Sequence, residues 1–207
     1  MLPHKKIHPH ELAFDVDGVF ANTFQSFVDK ARYQYGLQIY YDDITEYDYR
    51  NVIKIDDDIN EKLIQMVVNT PIETGVQPIE GAVDVLTRLS EITTLFFVTA
   101  RSEKNNILQW IKKQLKTVNI SDICLSATGT HLKKIPVLQK HGVKFFIEDR
   151  LETCYLLSEV SITPIVFEQP WNQTPHPFHT VKSWNEIAAM IEWETPRMAV
   201  KAHFYQC

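Results

Sequence analysis

The sequence predicts an α/β protein: a Rossmann-like three-layer sandwich with a five-stranded parallel sheet and an inserted, mostly helical cap after the first strand. Three observations carry this expectation. Five short runs, 12–17, 93–98, 122–126, 144–148 and 162–167, are apolar without polar alternation, as parallel strands covered on both faces are. Helical patterns separate the last four, and alternating strand and helix means a parallel sheet. The first crossover, residues 24–78, is far too long for one helix.

Each element has its own signal. The run 12–17 ends on Gly18, which lets the chain turn away sharply. Within the crossover, amphipathic stretches at 24–35 and 58–68 flank an acidic, tyrosine-rich loop, and Pro71 and Pro78 mark the return to the core. A helix over 82–91 precedes the second strand. Over 103–117, Ile107, Leu108, Ile111 and Leu115 share one stripe, with Ser102 as the N-cap. A helix over 134–141 ends at Gly142, and helices over 150–159 and 184–193 complete the alternation.

The chain of 207 residues suits one domain carrying an insertion. Its expected division is a core of 1–23 and 79–194, a cap of 24–78 and a C-terminal extension of 195–207, which leaves a homodimer open. A net charge of -5 argues against a nucleic-acid polymer as partner. The apolar runs are far shorter than the ~20 residues that span a bilayer, and the start Met1-Leu2-Pro3-His4-Lys5-Lys6 does not resemble a secretory signal. The expected setting is therefore cytoplasmic, with no membrane partner. Cys124, Cys154 and Cys207 lack metal-ligand spacing and read as reduced thiols.

Ligands of open α/β sheets bind outside the carboxyl ends of the strands. The first such end carries Asp15 and Asp17, which an extended backbone points to one side. Two close carboxylates need a cation between them or a shared proton. The second end runs Val98-Thr99-Ala100-Arg101-Ser102 into a helix. The third leads to Lys133-Lys134, and the fourth ends Phe146-Ile147-Glu148-Asp149-Arg150. Singly, each admits a structural reading: a strand-end Thr, a solvated Lys pair, an acidic rim. Jointly they supply carboxylates, a hydroxyl beside helix-end amides and an ammonium, the requirements of phosphoryl transfer through a carboxylate.

These four motifs, in order, resemble the haloacid dehalogenase-like superfamily of aspartate-nucleophile phosphohydrolases. Phe14-Asp15-Val16-Asp17-Gly18-Val19, Ile147-Glu148-Asp149-Arg150 and Gln169-Pro170-Trp171-Asn172 resemble, more narrowly, its 5'(3')-deoxyribonucleotidase branch. The resemblance implies that Asp15 attacks phosphorus and that Asp17 serves as general acid and then base. It implies Mg²⁺ held by Asp15, the Asp17 backbone carbonyl and Asp149, with Glu148 acting through water. It assigns the phosphate to Thr99 and the amides that follow, beginning with Ala100, and to Lys134, with Lys133 as the alternate. Arg101 either touches phosphate or faces solvent. Glu148 departs from the family, which often has Asp there, and Asn22 stands where many relatives have Asp.

Six of the eight tyrosines lie between Tyr33 and Tyr49. Aromatic faces stack nucleobases, which makes a nucleoside monophosphate the expected small phosphorylated substrate, with Phe20, Phe24 and Tyr47 as candidate contacts. Tyrosine also packs cores and rims well, and Trp171 reads equally as a buried structural residue. The runner-up is a phosphatase for a sugar phosphate or phosphoglycolate. A metal-binding glycosyltransferase would not need Thr99, Lys134 and Glu148-Asp149 on successive strand ends. A phosphorelay receiver carries its acceptor Asp on a middle strand and has no cap. A silent binding protein would not need both Asp15 and Asp17. No Gly-x-Gly or Gly-Lys-Ser/Thr loop is present to indicate a kinase or dinucleotide enzyme.

Overall fold

The computed structural model of the chain describes residues 6–193. The expected extension 195–207, the basis of the homodimer expectation, lies outside them. The sheet contains β1 (Leu12–Phe14), β2 (Leu95–Thr99), β3 (Ile123–Ala127), β4 (Phe145–Glu148), β5 (Thr163–Phe167) and β6 (His179–Val181). Its order is β3-β2-β1-β4-β5-β6, and every pairing is parallel. There are thus six strands, not five. β6 is a three-residue edge strand with His179 and Thr180 in its first two positions, so it forms no apolar run.

The helices are α1 (Thr23–Tyr35), α2 (Asp57–Asn69), α3 (Pro71–Thr74), α4 (Ala82–Ser90), α5 (Asn105–Gln114), α6 (Lys134–Lys140), α7 (Leu151–Ser158) and α8 (Trp184–Met190). Successive strand residues feed opposite layers. Phe97, Leu125 and Ile147 join Leu86, Trp110, Ile111 and Trp184 on the face covered by α4, α5 and α8. Phe96, Cys124 and Phe146 join Leu138 and Leu157 on the face covered by α6 and α7. This period-two partition of unbroken apolar runs makes the three layers.

Several boundaries differ from the expectations. β1 stops at Phe14, because Phe20 and Ala21 donate their backbone N–H groups to the Val16 carbonyl and close a tight turn. α5 starts at Asn105, and no side chain caps it, so Ser102 is not its N-cap. Ser183 does cap α8, accepting from the Glu186 N–H. Gly142 follows α6 at φ +68°. Cys154 is a free, buried thiol, whereas Cys124 is disulfide-bonded and not the reduced thiol expected.

The crossover between β1 and β2 holds α1, α2 and α3 and builds its own cluster, including Phe27, Val28, Ile44, Tyr49, Leu63 and Val67. Trp171 belongs to this cluster although it lies after β5. No helix among the described residues is long and apolar enough to cross a membrane.

Candidate active site

The central position of β1, between β2 and β4, brings the ends of four strands to one place. Asp15 follows β1 directly, its N–H still donating to the Ile147 carbonyl of β4 (2.9 Å). One carboxylate oxygen, Oδ1, accepts from the Val16 N–H (2.7 Å). The other, Oδ2, accepts from Lys134 Nζ (2.6 Å). Lys134 also donates to Glu148 Oε2 (2.9 Å), and all three residues are buried.

Lys134 reaches this place because it opens α6 on the face that buries Leu138, one turn later. Lys133, just ahead of the helix, is exposed. Geometry thus puts Lys134 at Asp15. Burial alone would lower the lysine's pKa, but the charges of Asp15 and Glu148 outweigh it and hold the ammonium protonated. Glu148 has no free oxygen: Oε1 accepts from the Asp149 and Arg150 N–H groups (3.1 Å each) and Oε2 from Lys134. These donors, Lys134 foremost, overcome burial and leave its pKa lowered.

Asp15, Glu148 and Asp149 present carboxylate oxygens within 4.8 Å of one another. Burial, then the charge of Glu148, pushes the Asp15 carboxyl well above the ordinary range, and the same two causes raise Asp149. A cation is what would keep both ionised. Asp149 Oδ1 is buried and accepts no hydrogen bond among the described residues, whereas Oδ2 accepts from Trp171 Nε1 (3.1 Å). A hard-oxygen set with one oxygen unpaired fits a divalent cation such as Mg²⁺.

Asp17 turns to a different partner. Arg101 donates to it through Nε (2.9 Å) and Nη2 (2.7 Å), and Thr23 Oγ1 donates to Oδ1 (2.5 Å). Burial raises its pKa, but Arg101 and Thr23 more than compensate and the result is lowered. Thr99 is buried, with Oγ1 accepting from the Arg101 N–H (3.2 Å) and lying 3.5 Å from Asp17 Oδ2. Ala100 is half-buried beside it. Arg101 itself is not solvent-facing: its side chain is only 4% exposed.

The segment after β5 serves the same strand ends. Gln169 Nε2 donates to the Gly18 carbonyl (2.7 Å), and Asn172 Nδ2 donates to the carbonyls of Asp149 and Phe167 (2.8 Å each). Tyr41 of the insertion donates to Gln169 Oε1 (2.6 Å). Above the site, Phe24 packs against Trp171 with ring centroids 4.8 Å apart and edge-on to Tyr47 at 6.5 Å. The Tyr47 hydroxyl meets His131 Nε2 (3.3 Å), and the Arg150 guanidinium lies 4.8 Å from its ring. A cleft of about 370 Å³ opens beside Tyr47 and Trp171, walled also by Leu151, Tyr155 and Thr174.

Phe20 departs from the expectation of a substrate contact. It is fully buried, stacked on Phe97 and edge-on to Trp110 and Trp184. Sequence reasoning also passed over Thr23 and His131. A hydroxyl six residues after Asp17, at a helix start, gave the only signal for Thr23. Nothing local marked His131, which meets Tyr47 from 84 residues away.

Residues 10–198 match the family model described as 5' nucleotidase, deoxy (pyrimidine), cytosolic type C protein. The chain belongs to that family. As a member of this nucleotidase family it is a phosphatase of the haloacid dehalogenase-like type. A nucleotidase of Clostridium acetobutylicum is 21% identical over 184 residues, covering 87% of this chain and 93% of the relative. The candidate nucleotidase YqfW of Bacillus subtilis is 24% identical over 194 residues, covering 88% and 92%.

Among solved structures, the haloacid dehalogenase-like hydrolase SP0104 of Streptococcus pneumoniae aligns with TM-score 0.54 at 16% identity, covering 86% of this chain and 96% of that one. CbbY of Rhodobacter sphaeroides, solved with phosphate, aligns with TM-score 0.52 at 14% identity, covering 85% and 95%. At these identities the structures share the fold with this nucleotidase-family chain.

Proposed function

We propose that this chain is a Mg²⁺-dependent nucleotidase that hydrolyses (deoxy)nucleoside monophosphates through an aspartyl-phosphate on Asp15. One observation carries the reading: Lys134 bridges Asp15 and Glu148 at 2.6 and 2.9 Å while Asp149, in the same acidic cluster, keeps an unpaired buried oxygen. A phosphomonoester needs a nucleophile, a cation beside it and a metal position, and Asp15, Lys134 and Asp149 are candidates for these three where the strand ends converge.

In this reading Asp15 attacks phosphorus and the bond from phosphorus to the ester oxygen breaks. Asp17 would serve as general acid to the departing alkoxide, which requires it first to bind a proton and to give up the Arg101 fork that lowers its pKa here. It then takes a proton from water as the water oxygen attacks the acyl phosphate, releasing phosphate and restoring the Asp15 carboxylate. Asp15, Asp149 and the Asp17 carbonyl would hold Mg²⁺, which when bound neutralises charge on the phosphoryl oxygens. Lys134 adds a fixed positive charge where charge develops, and Glu148 keeps that lysine charged and aimed. Thr99 and the Ala100 amide would bind the phosphate in this reading.

The nucleotidase family match supports a nucleotide as the ester. So do the rings of Tyr47, Trp171 and Tyr155 in the wall of the cleft, which also carries the carboxylates of Glu46, Asp48 and Glu152 and therefore disfavours a second phosphate there. We place the cap at 24–78, the core at 1–23 and 79–194, and the enzyme in the cytoplasm. The test is a turnover screen with Mg²⁺ across nucleoside monophosphates, sugar phosphates and an aryl phosphate. Nucleoside monophosphates are expected to be turned over fastest, and Asp15→Asn to be folded and inactive. Absence of turnover on every ester would sink the phosphatase reading, and a preference for sugar phosphates would retire the nucleotide.

A further inference from the structure

The sheet order puts β3 on an edge, paired only with β2 among the described residues. The Thr128 N–H reaches inward to the Thr99 carbonyl. Backbone groups alternate sides along a strand, so those of Leu125 and Ala127 point outward, away from β2. A groove of about 550 Å³ runs along this edge and takes Leu125, Ala127 and Val137 into its lining. Lys104, just ahead of α5, lines it from one face of the sheet. Lys133 and Lys140, at the two ends of α6, line it from the other. No carboxylate lines the groove among the described residues, in a chain whose net charge is -5. Ile120 and Leu132, which flank β3 in sequence, are large apolar side chains left exposed (51% and 63%).

We propose that the β3 edge docks an acidic, extended segment of a partner protein, which adds to the sheet as a further strand. Edge addition draws affinity from backbone hydrogen bonds and selectivity from side chains at alternate positions. The outward groups of Leu125 and Ala127 supply the first, and the lysines supply the second. Lys133 precedes α6 and Lys140 ends it, a run of about 10 Å of helix that about three residues of extended chain span. A single phosphate cannot touch both ends of that row, whereas a strand carrying several carboxylates can. Lysines on a sheet edge also keep like edges from pairing. Here that repulsion excludes a second copy of this edge, and the same charges select an acidic strand. The groove is separate from the Asp15 cluster, so the proposal stands apart from the phosphohydrolase reading.

The probe is a fluorescein-labelled, alternating Glu-Val octapeptide titrated into the full chain and followed by anisotropy and by hydrogen exchange. Saturable binding is expected, with exchange at the Leu125 and Ala127 amides slowed about tenfold or more. The double variant Lys104→Glu/Lys140→Glu should weaken binding about tenfold or more. Lys62→Glu, at an exposed position on α2, should leave it unchanged. A fully N-methylated octapeptide keeps the charges but cannot donate to the edge, and should lose most of the affinity.

Absence of binding up to about 1 mM peptide, binding unaltered in Lys104→Glu/Lys140→Glu, or binding that leaves Leu125 and Ala127 unprotected would each overturn the proposal. Displacement of the peptide by inorganic tripolyphosphate at equal total charge would do so too, because the groove would then hold small polyanions and not a strand. If the double variant does not fold, the salt dependence of wild-type binding decides the electrostatic part. Affinity should fall about threefold or more between about 50 and 200 mM salt, and an unchanged affinity refutes the role of the lysines.

Discussion

A β-carbon on Gly18 would lie 2.1 Å from Asp149 Oδ2 and 2.7 Å from its carboxyl carbon. The sharp turn after the first strand and the acid at the end of the fourth are therefore fitted to each other. Gly18 also sits at φ +73°, a conformation that costs a side-chain-bearing residue about 1–2 kcal/mol. Gly18→Ala should lose at least that much stability and also displace Asp149. Gly129→Ala is the control, because it shares the positive φ (+75°) with nothing within 4 Å. Denaturant unfolding and Mg²⁺-induced thermal shifts of both variants check this. An equal response to Mg²⁺ in the two would show that the crowding at Gly18 does not govern Asp149.

Lys134→Met should be the most destabilising single change at the strand ends. It leaves Asp15 and Glu148 buried without their shared cation, and breaking a buried ion pair costs about 3–5 kcal/mol. For a chain of this size that corresponds to a melting point lower by roughly 6–20 °C. Lys133→Met, at an exposed neighbour, should change the melting point by about 2 °C or less. Calorimetry of the pair gives the comparison, and similar losses in both would contradict the assignment of Lys134 to Asp15.

Trp171→Phe keeps a ring against Phe24 and removes the indole N–H given to Asp149 Oδ2. Partners that orient a ligating carboxylate typically carry 10–100-fold in metal affinity. The Mg²⁺ concentration for half-maximal thermal stabilisation should rise by about that factor, while stability without metal changes little. An unaltered Mg²⁺ midpoint would mean that the indole is only a packing group.

His131 adds a pH dependence with a defined sign. Burial, followed by the positive charge of Lys134, lowers its pKa from 6.5 to about 4. The unfolded chain therefore binds this proton more readily than the folded one. Its contribution is fully present above pH 6.5 and is lost as pH falls from there toward 4. His131→Gln, which can still meet the Tyr47 hydroxyl, should lose less stability between pH 7 and pH 4.5 than the wild type. Parallel urea unfolding series measure the difference, and coincident pH profiles would remove His131 from the account.

The sequence carried much of this arrangement, and the physical reason is periodicity. Unbroken apolar runs marked β1 to β5, since each is covered on both faces. β6 escaped because a short edge strand ending in a single apolar residue has no such run. Asp15, Asp17, Thr99 and Glu148-Asp149 were readable because each stands at a strand end, where chain order alone fixes location. Lys134 was preferred to Lys133, but only the face that α6 buries decides between them. The pairings of Arg101 with Asp17 and of His131 with Tyr47 were invisible, because both join side chains 84 residues apart across the insertion. The Gln169-Trp171-Asn172 segment was readable as a motif, but its targets, Gly18 and Asp149, were not.

Trp171 packs in the hydrophobic cluster of the insertion although the chain delivers it from beyond the fifth strand. The insertion is consequently not a self-sufficient module in the engineering sense. A cap grafted from a relative would arrive with a socket for that relative's residue at this position, and a mismatch would tilt the indole that steadies Asp149. Exchange of specificity between such enzymes should therefore transfer two stretches of chain together, the crossover and the short segment at 169–172.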